Sequence, residues 1–117
     1  DLVGLSEKKD ISCGVLSHGD QRLIEVGVAL AIDPSILLLD EPSGGMGPEE
    51  TDGMVRFIRE LNDKQDITML LVEHDMSVVF SVAERIVVMH QGMVIADGNP
   101  EEIKNNEKVR EAYLGEE

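Results

Sequence analysis

The sequence predicts an α/β fold in which short strands alternate with amphipathic helices. Short apolar runs at 36–39 and 67–72 have the length of buried strands, and each is followed by apolar residues at helical spacing. A third run, 86–89, leads through Gln91-Gly92 into a fourth at 93–96, which is typical of a β-hairpin. We therefore expect a mostly parallel sheet with a C-terminal hairpin and flanking helices.

Length and charge limit the function classes that remain. The chain has 117 residues, enough for one domain, and a formal net charge of −14. A nucleic-acid backbone would repel such a chain, so we expect no nucleic-acid partner. The single cysteine, Cys13, excludes an internal disulfide and favours a reducing compartment. The longest near-continuous apolar stretch, 26–32, is shorter than the roughly 18 residues of a membrane span.

The first long helix is expected to begin at Ser17. Asp20 stands three residues later, which predicts a capping box, and the helix should end before Pro34. Its buried face is expected to comprise Leu23, Ile24, Gly27, Val28 and Ala31. The uninterrupted apolar run 36–39 that follows predicts a strand buried on both faces.

Later helices carry start signals of the same kind. Pro48, followed by two glutamates, predicts a helix start, and the expected buried stripe of this helix is Met54, Phe57, Ile58 and Leu61. A further helix is marked by Met76, Val79, Phe80 and Ala83. Asn99, Pro100 and Glu102 predict a capped first turn in the tail, with short helices running to Gly115.

Ionisable side chains follow two of the expected strands. Asp40 and Glu41 end the first, and Glu73-His74-Asp75 end the second. The carboxyl ends of parallel strands form the edge at which open α/β sheets bind ligands. Adjacent carboxylates suit phosphoryl transfer, because one can hold hydrated Mg²⁺ while the next orients or deprotonates the attacking water. From these residues alone, the alternative to a phosphoryl-transfer site is a loop of solvent-exposed acidic side chains without a catalytic role.

Four segments follow one another along the chain: Leu16-Ser17-His18-Gly19-Asp20-Gln21, Ile36-Leu37-Leu38-Leu39-Asp40-Glu41-Pro42, the loop 44–47 and Val72-Glu73-His74-Asp75. In this order they resemble the signature motif, Walker B segment, D-loop and switch histidine of ATP-binding cassette (ABC) ATPases. The Leu-Ser-His-Gly form and the closing segment 105–115 are similar to the subgroup that imports branched-chain amino acids, or related amides or urea. The resemblance covers essentially the whole chain.

The resemblance implies ATP and Mg²⁺ as cofactors and gives roles to three side chains at the strand ends. Asp40 would hold Mg²⁺ through water, Glu41 would polarise the attacking water, and His74 would contact the γ-phosphate. His74 and Glu41 are thus the candidate catalytic residues, and Asp40 is the candidate metal ligand. Gly47 stands where the family usually has Asp or Asn, so a role for the D-loop side chain is not carried over.

In that family the signature motif of one subunit faces the ATP held by another. The residues expected to contact this nucleotide are Ser17, His18, Gly19, Asp20 and Gln21. The local physics agrees, because Ser17 and Gly19 would offer a hydroxyl and free backbone N–H groups at a helix N-terminus. A helix cap alone is the alternative for Ser17. His18 replaces the usual glycine of the motif and Asp20 the usual glutamine.

A phosphate-binding loop of the form G-x-x-x-x-G-K-[ST] does not occur in the sequence. The resemblance therefore implies the C-terminal half of a P-loop (RecA-like) ATPase core, without the Walker A strand, which would lie between 67–72 and 86–89. The first residue is Asp1 and not Met, so we expect an upstream half. We divide the chain into the end of a helical subdomain with the signature (1–33), a Walker B to switch-histidine core (34–98) and a helical tail (99–117).

Two functions are open from the sequence. The first is part of the ATP-hydrolysing subunit of an importer, which pairs head-to-tail with a second ATPase subunit and binds membrane permease subunits. Its place would be cytoplasmic, on the inner face of the cell membrane. The second is a non-catalytic α/β module that self-associates or binds a partner protein; an unrelated acidic binding domain is a distant third. Alone, the chain should neither bind ATP tightly nor hydrolyse it, and its unpaired strand edges should favour self-association.

Overall fold

The computed structural model describes residues 3–12, 14, 16–64 and 66–114, which fall into two compact units, Asp1–His74 and Asp75–Glu117. The first contains a 3-10 turn (Ser6–Lys8), α1 (His18–Leu30), β1 (Ile36–Asp40), α2 (Pro48–Lys64) and β2 (Thr68–Val72). The second contains α3 (Met76–Val82), β3 (Ile86–His90), β4 (Met93–Gly98), α4 (Pro100–Lys104), α5 (Glu107–Val109) and a π-helical turn (Arg110–Leu114). Cys13 and Gly115 lie outside the described residues, so the expectations for them stay predictions.

Helix α1 has Ser17 as its N-cap, as predicted, but it buries a different face. The Ser17 Oγ accepts a hydrogen bond from the Asp20 N–H at 3.1 Å, while the Asp20 carboxylate pairs with Lys8 Nζ at 2.5 Å. The prediction that Val28 is buried is wrong: Val28 is 68% exposed, and Val26 is buried instead. From residue 23 to residue 30 every residue of the helix except Glu25 is apolar or glycine, so the spacing of the apolar residues admits more than one buried face. Packing against α2 selects between them.

Helix α2 has the predicted start and the predicted buried stripe. Pro48 is its first residue, and Glu49 and Glu50 lie in the first turn, where the helix dipole favours negative charge. The buried side chains of this helix are Met54, Phe57, Ile58 and Leu61. Together with Val26, Leu37 and Leu39 they make up the buried apolar side chains among the described residues of the first unit.

Strands β1 and β2 pair in parallel, with Ile36 opposite Thr68 and Asp40 opposite Val72. The prediction of a strand buried on both faces is wrong for β1: Leu37 and Leu39 are buried, whereas Leu38 is 68% exposed. Side chains alternate between the two faces of a strand, so only one face of this sheet is buried within the described residues. The apolar composition of 36–39 therefore leaves an exposed apolar face on the sheet.

The second unit is built on the predicted hairpin. Strands β3 and β4 pair antiparallel with a bulge between Val88 and Met89. Gln91 and Gly92 both have positive φ, 50° and 78°, as the favoured two-residue hairpin turns require. Near the open end, Arg85 donates two hydrogen bonds to Asp97, at 2.9 and 2.6 Å, and these bonds hold the pKa of the Asp97 carboxyl below its usual value.

The tail completes the core of this unit. The capping box of α4 is present as predicted: the Asn99 side chain accepts from the Glu102 N–H, and the Glu102 side chain accepts from the Asn99 N–H. The buried core consists of Ile86, Val88, Ile103 and Val109, with Val79, Phe80, Ala83, Ile95 and Ala96 packed against it. The tail therefore covers one face of the hairpin.

The described strands thus form two separate two-stranded sheets, one parallel and one antiparallel. Across the described ranges, no helix has the length and apolar character needed to cross a membrane.

Candidate functional site

The carboxyl ends of β1 and β2 bring together the two candidate catalytic residues. Glu41 follows β1 with its backbone in the left-handed region, φ 47°, and its N–H donates to the Val72 carbonyl at 2.7 Å. His74 stands two residues after the end of β2, and its Nε2 lies 3.5 Å from Glu41 Oε1. The side chains of Glu41 and His74 are 51% and 72% exposed, so this pair remains open to a ligand.

The oxygens at this edge have the chemistry of a Mg²⁺ site. Asp40 ends β1 with an exposed side chain, and the Glu41 carboxylate follows it directly. Mg²⁺ prefers oxygen ligands and is commonly bound through one or two carboxylates plus water and substrate phosphates. These residues therefore fit the implied ion, although the part of the chain that the structure describes contains no group of three or more potential ligands arranged around a metal position.

Sequence reasoning placed Glu73 at this edge without a role, and it missed Ser43 and the contact between the two residues. Glu73 Oε2 accepts hydrogen bonds from the Ser43 hydroxyl at 2.7 Å and from the Ser43 N–H at 3.3 Å. Its other oxygen, Oε1, accepts from the His74 N–H at 3.2 Å. Ser43 is buried, at 8% exposure. Both residues stand within two positions of a candidate catalytic residue, but the sequence carries no signal that they are partners.

The signature segment lies at the start of α1, and the N–H groups of Gly19 and Asp20 are already occupied. The Gly19 N–H donates to Glu50 Oε2 at 2.7 Å, and the Asp20 N–H donates to Ser17. The expectation that Gly19 offers a free N–H is therefore wrong for this structure, because a carboxylate from α2 takes the favourable position at the helix N-terminus. Gln21 Nε2 donates to the Leu16 carbonyl at 3.3 Å.

His18 joins the signature segment to the loop after β1. Its Nε2 lies 2.9 Å from the Gly44 carbonyl oxygen. The ring also lies against Gly45, which has a φ of +76° and where an added Cβ would come within 3.2 Å of His18 Nε2. The described contacts thus form two groups: Glu41 with His74, and the start of α1 with the loop 44–47 and Glu50.

Comparison with known proteins identifies a family. A family model described as branched-chain amino acid ATP-binding cassette transporter matches residues 93–117. The chain is 45% identical over 114 residues to the high-affinity branched-chain amino acid transport ATP-binding protein BraF of Pseudomonas aeruginosa, which covers 97% of this chain and 45% of BraF. It is 43% identical over 116 residues to LivG of Escherichia coli K12, which covers 99% of this chain and 46% of LivG.

Solved structures of ABC transporter components have the same fold. The ADP conformation of MJ1267, an ATP-binding cassette, matches with a TM-score of 0.86 and 33% identity over 98% of this chain and 46% of that one. A nucleotide-free ATP-binding cassette matches with a TM-score of 0.86 and 35% identity over 98% of this chain and 47% of that one. The chain spans about half the length of the relatives it matches. Over nearly its whole length the chain is similar to the C-terminal part of ABC transporter ATP-binding proteins of the branched-chain amino acid group.

Proposed function

We propose that the chain is the C-terminal part of the ATP-hydrolysing subunit that powers an ABC importer for branched-chain amino acids. The observation that carries the proposal is the approach of His74 to Glu41, at 3.5 Å, at the carboxyl ends of two paired parallel strands. The names of BraF and LivG, both transport ATP-binding proteins for branched-chain amino acids, support the substrate class.

In this proposal three residues at the strand ends have different roles in phosphoryl transfer. Asp40 would hold hydrated Mg²⁺, which when bound neutralises negative charge on the phosphate oxygens. Glu41 is the proton acceptor: its carboxylate orients the attacking water and takes a proton from it. His74 lies beside that carboxylate and donates a ring N–H to the γ-phosphate. Each of these side chains is exposed, so a ligand can reach it without a change in the fold.

The signature residues would act on a nucleotide held by a second subunit. In a head-to-tail dimer, the segment from Ser17 to Gln21, including His18, Gly19 and Asp20, faces the ATP of the partner. The Gly19 N–H donates to Glu50 in this structure, so a phosphate of the partner's ATP would replace that carboxylate at a helix end that favours anionic oxygens. Permease subunits in the membrane are the other proposed partners, and the site of action is the cytoplasmic face of the cell membrane.

The isolated chain should bind Mg-ATP only weakly and should not hydrolyse it. The reason is that the sequence has no G-x-x-x-x-G-K-[ST] loop, whose backbone N–H groups and lysine cradle the phosphates. Calorimetric titration of the purified chain with Mg-ATP measures this. A complete ATP-binding subunit of the same group, titrated in the same buffer, is the positive control. Micromolar affinity in the chain alone would contradict the prediction.

A second function, self-association, is favoured by the exposed apolar sheet face. On β1 and β2, Leu38 is 68% exposed and Leu70 is 58% exposed, and these two residues are register partners. Sheets of α/β proteins normally have both faces covered, so we propose that a second copy of the chain covers this one. The proposal is independent of the catalytic roles.

Light scattering should therefore give a mass above the 12.8 kDa of one chain. Substitution of both residues, Leu38→Asp with Leu70→Asp, should shift the chain towards the monomer, because charge on the face makes its burial costly. Val28→Asp, which places the same charge on an equally exposed position of α1, is the matched control and should leave the mass unchanged. A stable wild-type monomer with cooperative unfolding would contradict self-association.

A further inference from the structure

The loops that carry Glu41 and His74 are cross-linked by the carboxylate of Glu73. One oxygen of this carboxylate accepts two hydrogen bonds from Ser43, at 2.7 and 3.3 Å, and the other accepts the backbone N–H of His74 at 3.2 Å. Ser43 and Glu73 are 30 residues apart in the chain. The contact therefore joins two segments that the sequence separates.

The chemistry of this link suits a rigid connection. Hydrogen bonds to an ionised carboxylate are stronger than those between neutral groups. Ser43 is 8% exposed, so its hydroxyl has little access to water and depends on a protein partner. Ser43 lies two residues after Glu41, and Glu73 directly precedes His74. A displacement of either partner is thus transmitted to a candidate catalytic residue through one or two peptide units.

We propose that Glu73 and Ser43 are positioning residues, which hold Glu41 and His74 at a fixed separation. Both act through their neighbours, and neither contacts the nucleotide. Their loss should lower kcat, because the reacting groups are less well oriented, and should leave KM unchanged. This kinetic consequence rests on the proposed function, whereas the cross-link itself is testable without ATP.

The first experiment measures amide hydrogen exchange in the chain itself. Glu73→Ala should speed exchange of the Ser43 and His74 amides by about tenfold or more, because both lose a charged acceptor. Glu60→Ala removes an exposed carboxylate from α2 and is the matched control, with exchange at both amides as in the wild type. Unchanged exchange in Glu73→Ala would overturn the cross-link.

The second experiment measures ATP turnover in the complete ATP-binding subunit. Ser43→Ala and Glu73→Gln should each lower kcat by about 10- to 100-fold with KM for Mg-ATP changed by less than about twofold. Ser43→Ala is the mildest change, so it keeps the test valid if Glu73 variants fold poorly. The double variant should lose about as much as the worse single variant, because both remove the same link.

Three results distinguish a failure of the positioning role from a failure of the proposed function. A KM that rises in Glu73→Gln while kcat is retained would show that Glu73 contacts Mg-ATP, which overturns a positioning role. If Glu41→Gln is impaired but Ser43→Ala and Glu73→Gln are normal, the positioning inference fails and the proposed function stands. If Glu41→Gln itself has normal turnover, the proposed function fails, and the exchange experiment alone decides on the cross-link.

Discussion

In the complete ATP-binding subunit, Glu41→Gln should slow ATP hydrolysis by about 10²–10⁴-fold and leave ATP binding intact. Glutamine keeps the shape of the side chain but cannot accept a proton from water at neutral pH. Because hydrolysis is the step that separates the two subunits in the proposed cycle, an ATP-bound dimer should accumulate. Steady-state turnover, an ATP-binding titration and the dimer fraction by size-exclusion chromatography measure the three effects.

Two further variants sharpen this test. Glu49→Gln makes the same change on an exposed residue in the first turn of α2 and should retain wild-type turnover. His74→Ala removes the ring 3.5 Å from Glu41 and should lower turnover as well. Near-normal hydrolysis by Glu41→Gln would refute the role of this residue as the base, regardless of the similarity to ABC transporter proteins.

Leu61→Ala should lower the free energy of unfolding of the chain by about 2–5 kcal/mol, a large share of the roughly 5–15 kcal/mol of a typical domain. Leu61 is 1% exposed and belongs to the buried stripe of α2, so its truncation leaves a cavity that the first unit closes only in part. Urea denaturation followed by far-ultraviolet circular dichroism measures the change.

The same substitution on the exposed sheet face provides the control. Leu38 is 68% exposed, so Leu38→Ala should cost about 0.5 kcal/mol or less when measured at concentrations that keep the chain monomeric. Equal losses of unfolding free energy in Leu61→Ala and Leu38→Ala would contradict the assignment of Leu61 to the buried core of the first unit.

Local signals explain the parts of the fold that the sequence predicted correctly. The caps at Ser17 and Asn99 form between residues three positions apart, and the hairpin follows from Gln91-Gly92. The stripe on α2 was predictable because polar residues fill most of the rest of that helix. In α1 and β1, apolar residues occupy more than one face, and the sequence does not reveal which face a neighbouring element covers.

The same distinction applies to the site. The position of Glu41 and His74 at one edge of the sheet was predictable because the carboxyl ends of parallel strands meet there, whereas their catalytic roles come from the resemblance to ABC ATPases and stay predictions. The contacts of Glu73 with Ser43, Glu50 with Gly19 and His18 with Gly44 join residues 26 to 31 positions apart. No periodicity or cap specifies such pairs. They depend on how α1, α2 and the strand ends come together, which only coordinates reveal.

The backbone conformation of Glu41 lowers the stability of the fold at a residue that the proposed reaction needs. A residue with a side chain loses roughly 1–2 kcal/mol in the left-handed region, and glycine adopts it without that loss. With a φ of 47°, Glu41 bears this cost in the folded chain. A search for heat-resistant variants would therefore tend to select glycine at position 41. The most stable proteins from such a search would lack the carboxylate that the proposed reaction needs.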